Sequence, residues 1–552
     1  MSGKGSAVQP DYDPWPMEFA QRYRDEGYWR GESLGALLGG WAARFAEATA
    51  VICGDERISY TELDHRADAQ AAGLMRLGVA PGDRVIVQLP NISEFVVLLF
   101  ALVRCGAVAV LTLPAHRRTE IEHLARLSEA VGYVIPDWRE GFDYRELAAE
   151  IAVEVPSVQH VLVAGDPGRF RTLASVTAEP VAQPPVDPAG VGVLLISGGT
   201  TGKPKLIPRT HNDYAYNARA SATVCALTAE DVYLACLPVA HNFPLACPGL
   251  LGTWGVGGTV VMAPAPSPDV AFGLIERERV TVTALVPPLV RLWVESAEWD
   301  TRDRSSLRLL QVGGAKLDAG LARRVQPTLG CRLQQVFGMA EGLLNYTRLD
   351  DPDELVMTTQ GRPLSPADEI RIIRTDGAQA AAGEVGELWT RGPYTLRGYY
   401  RAPEYNALAF TADGFFKTGD LVRQLPTGHL IVEGRVKDVI NRGGENVSAG
   451  ELEEHLLTHP AVRQVAVIGL PDERLGELVC AVIVADPARP PRLKELKAYL
   501  NGCGLARFKQ PDQLVLLDEL PTTAVGKINK RELVARLGRS TGVGTPGQRR
   551  TG

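Results

Sequence analysis

The chain has 552 residues, 45% of them hydrophobic and 22% charged, with a formal net charge of −7 at pH 7. That length exceeds what one compact core organises, so two or more domains are expected. The acidic balance argues against nucleic-acid binding over a broad basic surface, and eight scattered cysteines without a C-x-x-C pair fit reduced thiols better than a disulfide framework or a metal cluster.

In chain order, residues 1–13 are polar and lack the apolar core of a signal segment. Residues 84–88 read as a strand and Leu89-Pro90-Asn91 as a turn. The apolar run 95–103 ends at Arg104, too short to span a bilayer, and reads as a buried helix. No membrane association is expected, and a cytoplasmic location is. Residues 107–113 form the next expected strand, and Ile121, Leu124 and Leu127 give residues 119–130 helical spacing. A Pro-rich connector, 180–190, precedes an apolar run at 191–196. Strand patterns recur at 232–237, 282–286, 307–312 and 333–337, each followed by a turn. This alternation predicts an α/β fold with layered, largely parallel sheets, whose ligands gather at the C-terminal ends of strands.

Residues 386–391 and 428–433 suggest a β-rich lobe. The composition changes after Gly434. Gly443 and Gly444 mark a loop, a helix is expected at 449–458, strands at 465–470 and 478–484, and a second helix at 493–499. This is the mix of a small α+β domain of roughly 100 residues. Residues from 538 onward are rich in Gly, Arg and Thr and read as a disordered tail. The expected organisation is a large core over 1–436, a small mobile domain over 437–538 and a tail over 539–552.

The segment Ser197-Gly198-Gly199-Thr200-Thr201-Gly202-Lys203-Pro204-Lys205 concentrates glycines, hydroxyls and two lysines. Glycine lets backbone N–H groups approach an anion, and Ser, Thr and Lys add donors and charge. A polyphosphate is the natural partner. The segment is not a Walker loop, because that pattern needs Gly where Ser197 stands and Ser or Thr where Pro204 stands. Five further segments follow: His241-Asn242-Phe243-Pro244-Leu245; Gly313-Gly314-Ala315-Lys316; Gln334 through Gly342, with Val336, Phe337, Gly338, Ala340 and Glu341; Thr418-Gly419-Asp420 followed by Gly434-Arg435-Val436-Lys437-Asp438; and Pro521-Thr522-Thr523-Ala524-Val525-Gly526-Lys527.

Six such motifs in this order resemble the adenylate-forming superfamily of acyl-CoA synthetases, adenylation domains and luciferases. The resemblance extends over about residues 23–537. It is closest to stand-alone aryl-acid AMP ligases of siderophore pathways, through the run from Ser197 to Tyr214, residues 241–249 and Arg391-Gly392-Pro393-Tyr394-Thr395. The resemblance implies a carboxylic acid and MgATP converted to an acyl-adenylate and pyrophosphate. By that likeness Ser197, Gly198, Gly199, Thr200, Thr201, Gly202 and Lys205 would hold the β- and γ-phosphates, and Glu341 the Mg²⁺. Asp420 would accept the ribose hydroxyls and Arg435 would touch ribose or phosphate. Gly314, Val336, Phe337 and Gly338 would surround the adenine. Lys527 would be the catalytic cation between carboxylate and α-phosphate, and Lys437 the hinge about which the small domain swings.

The same likeness puts His241, Asn242, Phe243, Cys247, Gly313 and Ala340 around the acid. Amino-acid-activating relatives carry Asp where this chain has Asn242; neutral Asn cannot pair a substrate ammonium and suits an ortho-hydroxyl instead. Cys at 247 favours salicylate, where Ser would favour 2,3-dihydroxybenzoate, because a thiol is a weak donor to a 3-hydroxyl. A heteroaryl acid such as 3-hydroxypicolinate stays open. No carrier-domain attachment serine is found, so the acceptor expected in trans is a phosphopantetheinylated aryl carrier protein, with CoA as the alternative. A luciferase-like oxygenase and a non-catalytic nucleotide module are the remaining readings. Nothing in the pocket motifs favours the first, and intact Glu341, Asp420 and Lys527 oppose the second.

Overall fold

The computed structural model describes residues 11–197, 204–442, 445–472, 475–503, 505, 509–523 and 526–538, with the side chains of 441, 445 and 446 left out. The expected tail, 539–552, and the Gly443-Gly444 loop lie outside the described residues. By packing, the chain divides into two compact units: Met1–Ile370 with Trp389–Lys417, and Arg371–Leu388 with Thr418–Gly552.

Two large sheets build the first unit. The seven-stranded sheet runs Leu206–Thr210, Val191–Ile196, Val108–Leu111, Arg84–Val87, Gly132–Pro136, His160–Ala164, Arg171–Thr172, and only its first pair is antiparallel. The nine-stranded sheet has six parallel central strands, from Arg332–Met339 through Leu309–Gly313, Val282–Leu285, Val232–Ala235 and Thr259–Met262 to Thr49–Cys53. Antiparallel strands close both of its edges. Parallel strands buried on both faces need apolar side chains in both directions, and alternation sorts them. Val85 and Val87 point into a central core, together with Val51, Val260 and Met262 of the other sheet, while Ile86 and Val110 face one outer layer and Leu234 and Leu310 another. The helix Ser93–Arg104 is buried from Phe95 to Val103 in the central core, as its unbroken apolar run requires.

The elements that carry the motifs are β1 (Val191–Ile196), β2 (Leu206–Thr210), α1 (His211–Val224), α2 (Asn242–Ala246), β3 (Leu309–Gly313), β4 (Arg332–Met339), β5 (Gly342–Tyr346), α3 (Pro403–Ala409), β6 (Phe416–Gln424) and β7 (Leu430–Arg435). Helix α1 starts in a reciprocal cap: Thr210 Oγ1 accepts from Asp213 N, and Asp213 Oδ2 accepts from Thr210 N.

In the second unit β6 and β7 pair antiparallel. A five-stranded sheet follows, formed by Val439–Arg442, Glu445–Ser448, Val462–Asp472, Gly476–Ala485 and Gln513–Leu516. Val465 and Val467 pack with Leu452, Leu456, Leu496 and Leu500 on one face, and Ala466, Ile468 and Leu470 with Leu533 on the other. This is the period-two sorting of a strand buried on both sides. The expected α+β composition is present, with helices Ala449–Leu457, Leu493–Gly502 and Lys530–Gly538. The packing division falls at Thr418, earlier than the expected domain edge at Lys437, which stands in a 3-10 turn, Val436–Asp438, of the second unit.

Candidate active site

β1 and β2 form a hairpin with Ile196 opposite Leu206. Its neck is pinned twice: Ser197 N donates to Lys205 O at 2.9 Å, and Lys205 N donates to Ser197 Oγ at 3.0 Å. The residues between them expected to grip phosphate, Gly198, Gly199, Thr200, Thr201 and Gly202, lie outside the described residues.

Beyond the neck, the Lys205 ammonium is half-buried. Its Nζ stands 3.9 Å from the Tyr405 ring centre and 5.3 Å from that of Tyr399. Burial lowers its pKa from the usual lysine value, and attraction to Glu341 works against that. Tyr399 Oη donates to Glu341 Oε1 at 2.8 Å. Gly342, directly after Glu341, has φ +130, and a Cβ there would meet Thr395 Cα at 2.4 Å, so only glycine allows this close turn into β5. Among the described residues no three His, Cys, Asp or Glu side chains form a metal-binding group. Glu341 therefore offers one hard carboxylate, the donor set that suits a Mg²⁺ carrying further oxygen ligands from phosphate and water.

Most of the residues expected around the acid gather around α2. His241 caps this short helix, its Nδ1 accepting from Phe243 N at 3.2 Å. Asn242 is buried, and its amide is oriented from both ends. Tyr214 Oη donates to Oδ1 at 3.0 Å, and Nδ2 lies 3.4 Å from Cys247 Sγ. Cys247 is 1% exposed, and Asn217 Nδ2 lies 3.9 Å from its sulfur. Burial pushes this thiol up to about 12, so it stays a neutral thiol at physiological pH. The Phe243 ring lies against Gly313, where a Cβ would come within 3.0 Å of it.

Behind this group, Arg209 is 1% exposed and pairs with Asp213 at 2.7 Å. Its guanidinium lies 4.7 Å over the Tyr214 ring, and its Nη1 donates to Ala340 O at 3.0 Å. One buried cation thus ties the wall that carries Asn242 to the segment that carries Ala340 and Glu341. Gly313, the last residue of β3, is the register partner of Val336 within β4. Gly314 follows with φ +83, exposed, and Phe337 and Gly338 continue β4 toward the same end. This is the strand end where ligands of parallel sheets collect. A separate cavity of about 740 Å³ opens on the side of α1 that carries Tyr216 and Arg219; no motif residue lines it.

In the second unit, Asp420 on β6 faces Arg435 on β7 across the ladder, Nε to Oδ1 at 2.8 Å. Asp420 N also bonds Thr418 Oγ1 at 3.0 Å. Lys527 is exposed at the end of a tight loop: Thr523 N donates to Lys527 O at 2.6 Å, Lys527 N to Thr523 Oγ1 at 3.2 Å, and Gly526 takes φ +77.

Within the first unit, then, the structure joins Ser197 to Lys205, Tyr399 to Glu341, and His241, Asn242, Phe243, Cys247 and Gly313 to one another. Within the second it joins Asp420 to Arg435. Sequence reasoning gave no role to Tyr214, Arg209, Asn217, Tyr399 or Tyr405. Arg209 and Tyr214 stand in the run that carried the resemblance, which was their only signal.

A profile of the AMP-binding enzyme family matches residues 39–400, and that of the AMP-binding enzyme C-terminal domain matches residues 451–527. The chain belongs to the AMP-binding enzyme family. Among its relatives is the salicyl-AMP ligase / salicyl-S-ArCP synthetase of Mycobacterium tuberculosis, 53% identical over 96% of this chain and 95% of the relative. Another is the 2,3-dihydroxybenzoate-AMP ligase of Bacillus subtilis, 52% identical over 95% of this chain and 97% of the relative. The apo structure of MbtA from Mycobacterium smegmatis matches this AMP-binding enzyme with a TM-score of 0.76 at 53% identity, over 95% of this chain and 99% of that one.

Proposed function

We propose that this chain activates salicylate with MgATP to salicyl-adenylate and pyrophosphate, then transfers the salicyl group to the phosphopantetheine thiol of a carrier protein supplied in trans. The observation that carries the choice of acid is the Tyr214–Asn242–Cys247 arrangement. Tyr214 occupies Asn242 Oδ1, so the amide presents N–H and no charge. Beside it stands a buried neutral thiol rather than a hydroxyl. Such a site suits an ortho-hydroxy aryl acid and has no ion-pair partner for an ammonium. A 3-hydroxyl brought against Cys247 would exchange water for a weak sulfur contact.

In the first half-reaction a carboxylate oxygen of the acid attacks the α-phosphorus, and pyrophosphate leaves. Ser197, Lys205 and the glycine- and threonine-rich residues between them hold the leaving group. Glu341 holds Mg²⁺, which when bound neutralises phosphate charge. Asp420 and Arg435 bind the ribose side, and Gly314, Val336, Phe337 and Gly338 border the adenine. His241, Phe243, Gly313 and Ala340 enclose the ring of the acid. Lys527 stabilises charge developing between carboxylate and phosphate. In the second half-reaction, after the small domain has turned about Lys437, the carrier thiolate attacks the acyl carbon and AMP leaves.

ATP–pyrophosphate exchange against salicylate, 2,3-dihydroxybenzoate, benzoate and 3-hydroxypicolinate tests this reading, with salicylate expected to have the highest kcat/KM. A preference of tenfold or more for dihydroxybenzoate overturns it in favour of the second reading, which the 52% identity to a dihydroxybenzoate ligase supports. Offering the enzyme a carrier protein and CoA separately, and identifying the thioester formed, decides the acceptor.

A further inference from the structure

Lys205 and Glu341 carry opposite charges and sense one another, since the Glu341 carboxylate acts on the lysine pKa. Nevertheless, no ion pair forms between them within 4.0 Å; among the described residues the side-chain contacts each makes are to tyrosines. Tyr399 is 3% exposed and packs edge-on against Phe416 at 6.1 Å. Its backbone is locked to α3 by Asn406, which accepts from Tyr399 N at 2.8 Å and donates to Tyr399 O at 3.0 Å. The same helix carries Tyr405, whose ring meets that of Tyr399 at 5.2 Å and 75°. The two rings thus meet in one corner, Tyr399 buried and Tyr405 exposed.

A half-buried ammonium that has lost water would be drawn to the nearest carboxylate. Aromatic faces offer it a partial substitute for hydration without cancelling its charge. A carboxylate that accepts one fixed hydroxyl bond has its other oxygen aimed in a defined direction. We propose that Tyr399 and Tyr405 are positioning residues that hold Lys205 and Glu341 apart and uncommitted, so that the cation meets phosphate and the carboxylate meets the metal that accompanies it. Tyr405 serves the lysine and the Tyr399 hydroxyl serves the carboxylate. This rests on the assignment of Lys205 to phosphate and Glu341 to Mg²⁺ made above.

The division of labour sets the test, calorimetric titration of ATP into the enzyme without any acid, once with Mg²⁺ and once with EDTA. Tyr399→Phe keeps the ring and removes only the hydroxyl. It should weaken binding of MgATP about three- to tenfold and leave binding in EDTA within about twofold. Tyr405→Ala should weaken both titrations about three- to tenfold, and Tyr405→Phe should restore most of the loss. Thermal unfolding of the unliganded variants is measured alongside. Equal weakening of both titrations by Tyr399→Phe, or wild-type binding by Tyr405→Ala, overturns the proposal, as does a loss that tracks a lowered unfolding temperature. A wild-type enzyme that fails to bind ATP would instead remove the assignment of the site on which the proposal rests.

Discussion

On the proposed function, a single atom at Cys247 distinguishes salicylate from 2,3-dihydroxybenzoate. The sulfur lies near the amide nitrogens of both Asn242 and Asn217 and is 1% exposed, so whatever replaces it has little water to share. Cys247→Ser puts a true donor and acceptor there. It should shift the ratio of kcat/KM for 2,3-dihydroxybenzoate over salicylate upward by about three- to tenfold, the worth of one hydrogen bond gained against one polar group left bare. An unchanged ratio in pyrophosphate exchange would show that residue 247 does not read the 3-position. The types of residue at 242 and 247 were legible in the sequence because they sit in a short motif of fixed spacing. Their orientation was not. Tyr214, which turns the Asn242 amide, stands 28 residues away and reaches it only because α1 and α2 pack together, which no local pattern announces.

Between elements, the joint of β2 and α1 carries more than a cap. Asp213 closes the capping box and neutralises Arg209, which in turn bonds the Ala340 carbonyl. Asp213→Ala leaves a buried guanidinium without its counter-charge and should cost about 3–5 kcal/mol in urea unfolding, well beyond the loss of a cap alone. A cost under about 1 kcal/mol would mean the pair is replaceable. A second junction responds to pH. Asp368, just before the strand Glu369–Ile373, accepts from Tyr394 Oη at 2.6 Å and Ser365 N at 3.0 Å, while its Oδ1 has no hydrogen-bond partner among the described residues. Burial raises it from 3.8 to about 7. The folded state therefore holds this proton more tightly than the unfolded one, and its contribution is complete below pH 3.8 and lost as pH rises through 7. Asp368→Asn should flatten that decline, so the unfolding-temperature gap between wild type and variant narrows or inverts from pH 5 to pH 8. A gap constant across that range contradicts the assignment. Most elements were legible, the strand at 84–88 from its β-branched run bounded by a turn and the helix at 119–130 from its apolar spacing. β5 was not, because Gly-Leu-Leu-Asn-Tyr is buried at every position and offers no alternation to read.

For the molecule as a whole, Lys527 and the residues assigned to the acid belong to separate units. If the small domain serves only the first half-reaction with this lysine, Lys527→Ala should abolish pyrophosphate exchange and spare transfer from preformed adenylate to the carrier thiol. Equal loss of both would place the lysine in both steps. The sequence showed that two bodies exist through the change in composition after Gly434, but it could not place the packing division. That division falls inside the strands Glu369–Ile373, Val385–Arg391 and Phe416–Gln424, where residues on either side obey the same period.

The chain passes from one unit to the other three times, at 370/371, 388/389 and 417/418. No single cut therefore yields both bodies whole. A recombinant joined to a relative at Lys437 would inherit Asp420 and Arg435 from the same parent as Asn242 and Cys247, and would take Lys527, with the segment that bears it, from the other. Such a join would keep the residues assigned to the ribose and to the acid in one block, and exchange the domain that bears Lys527 as another.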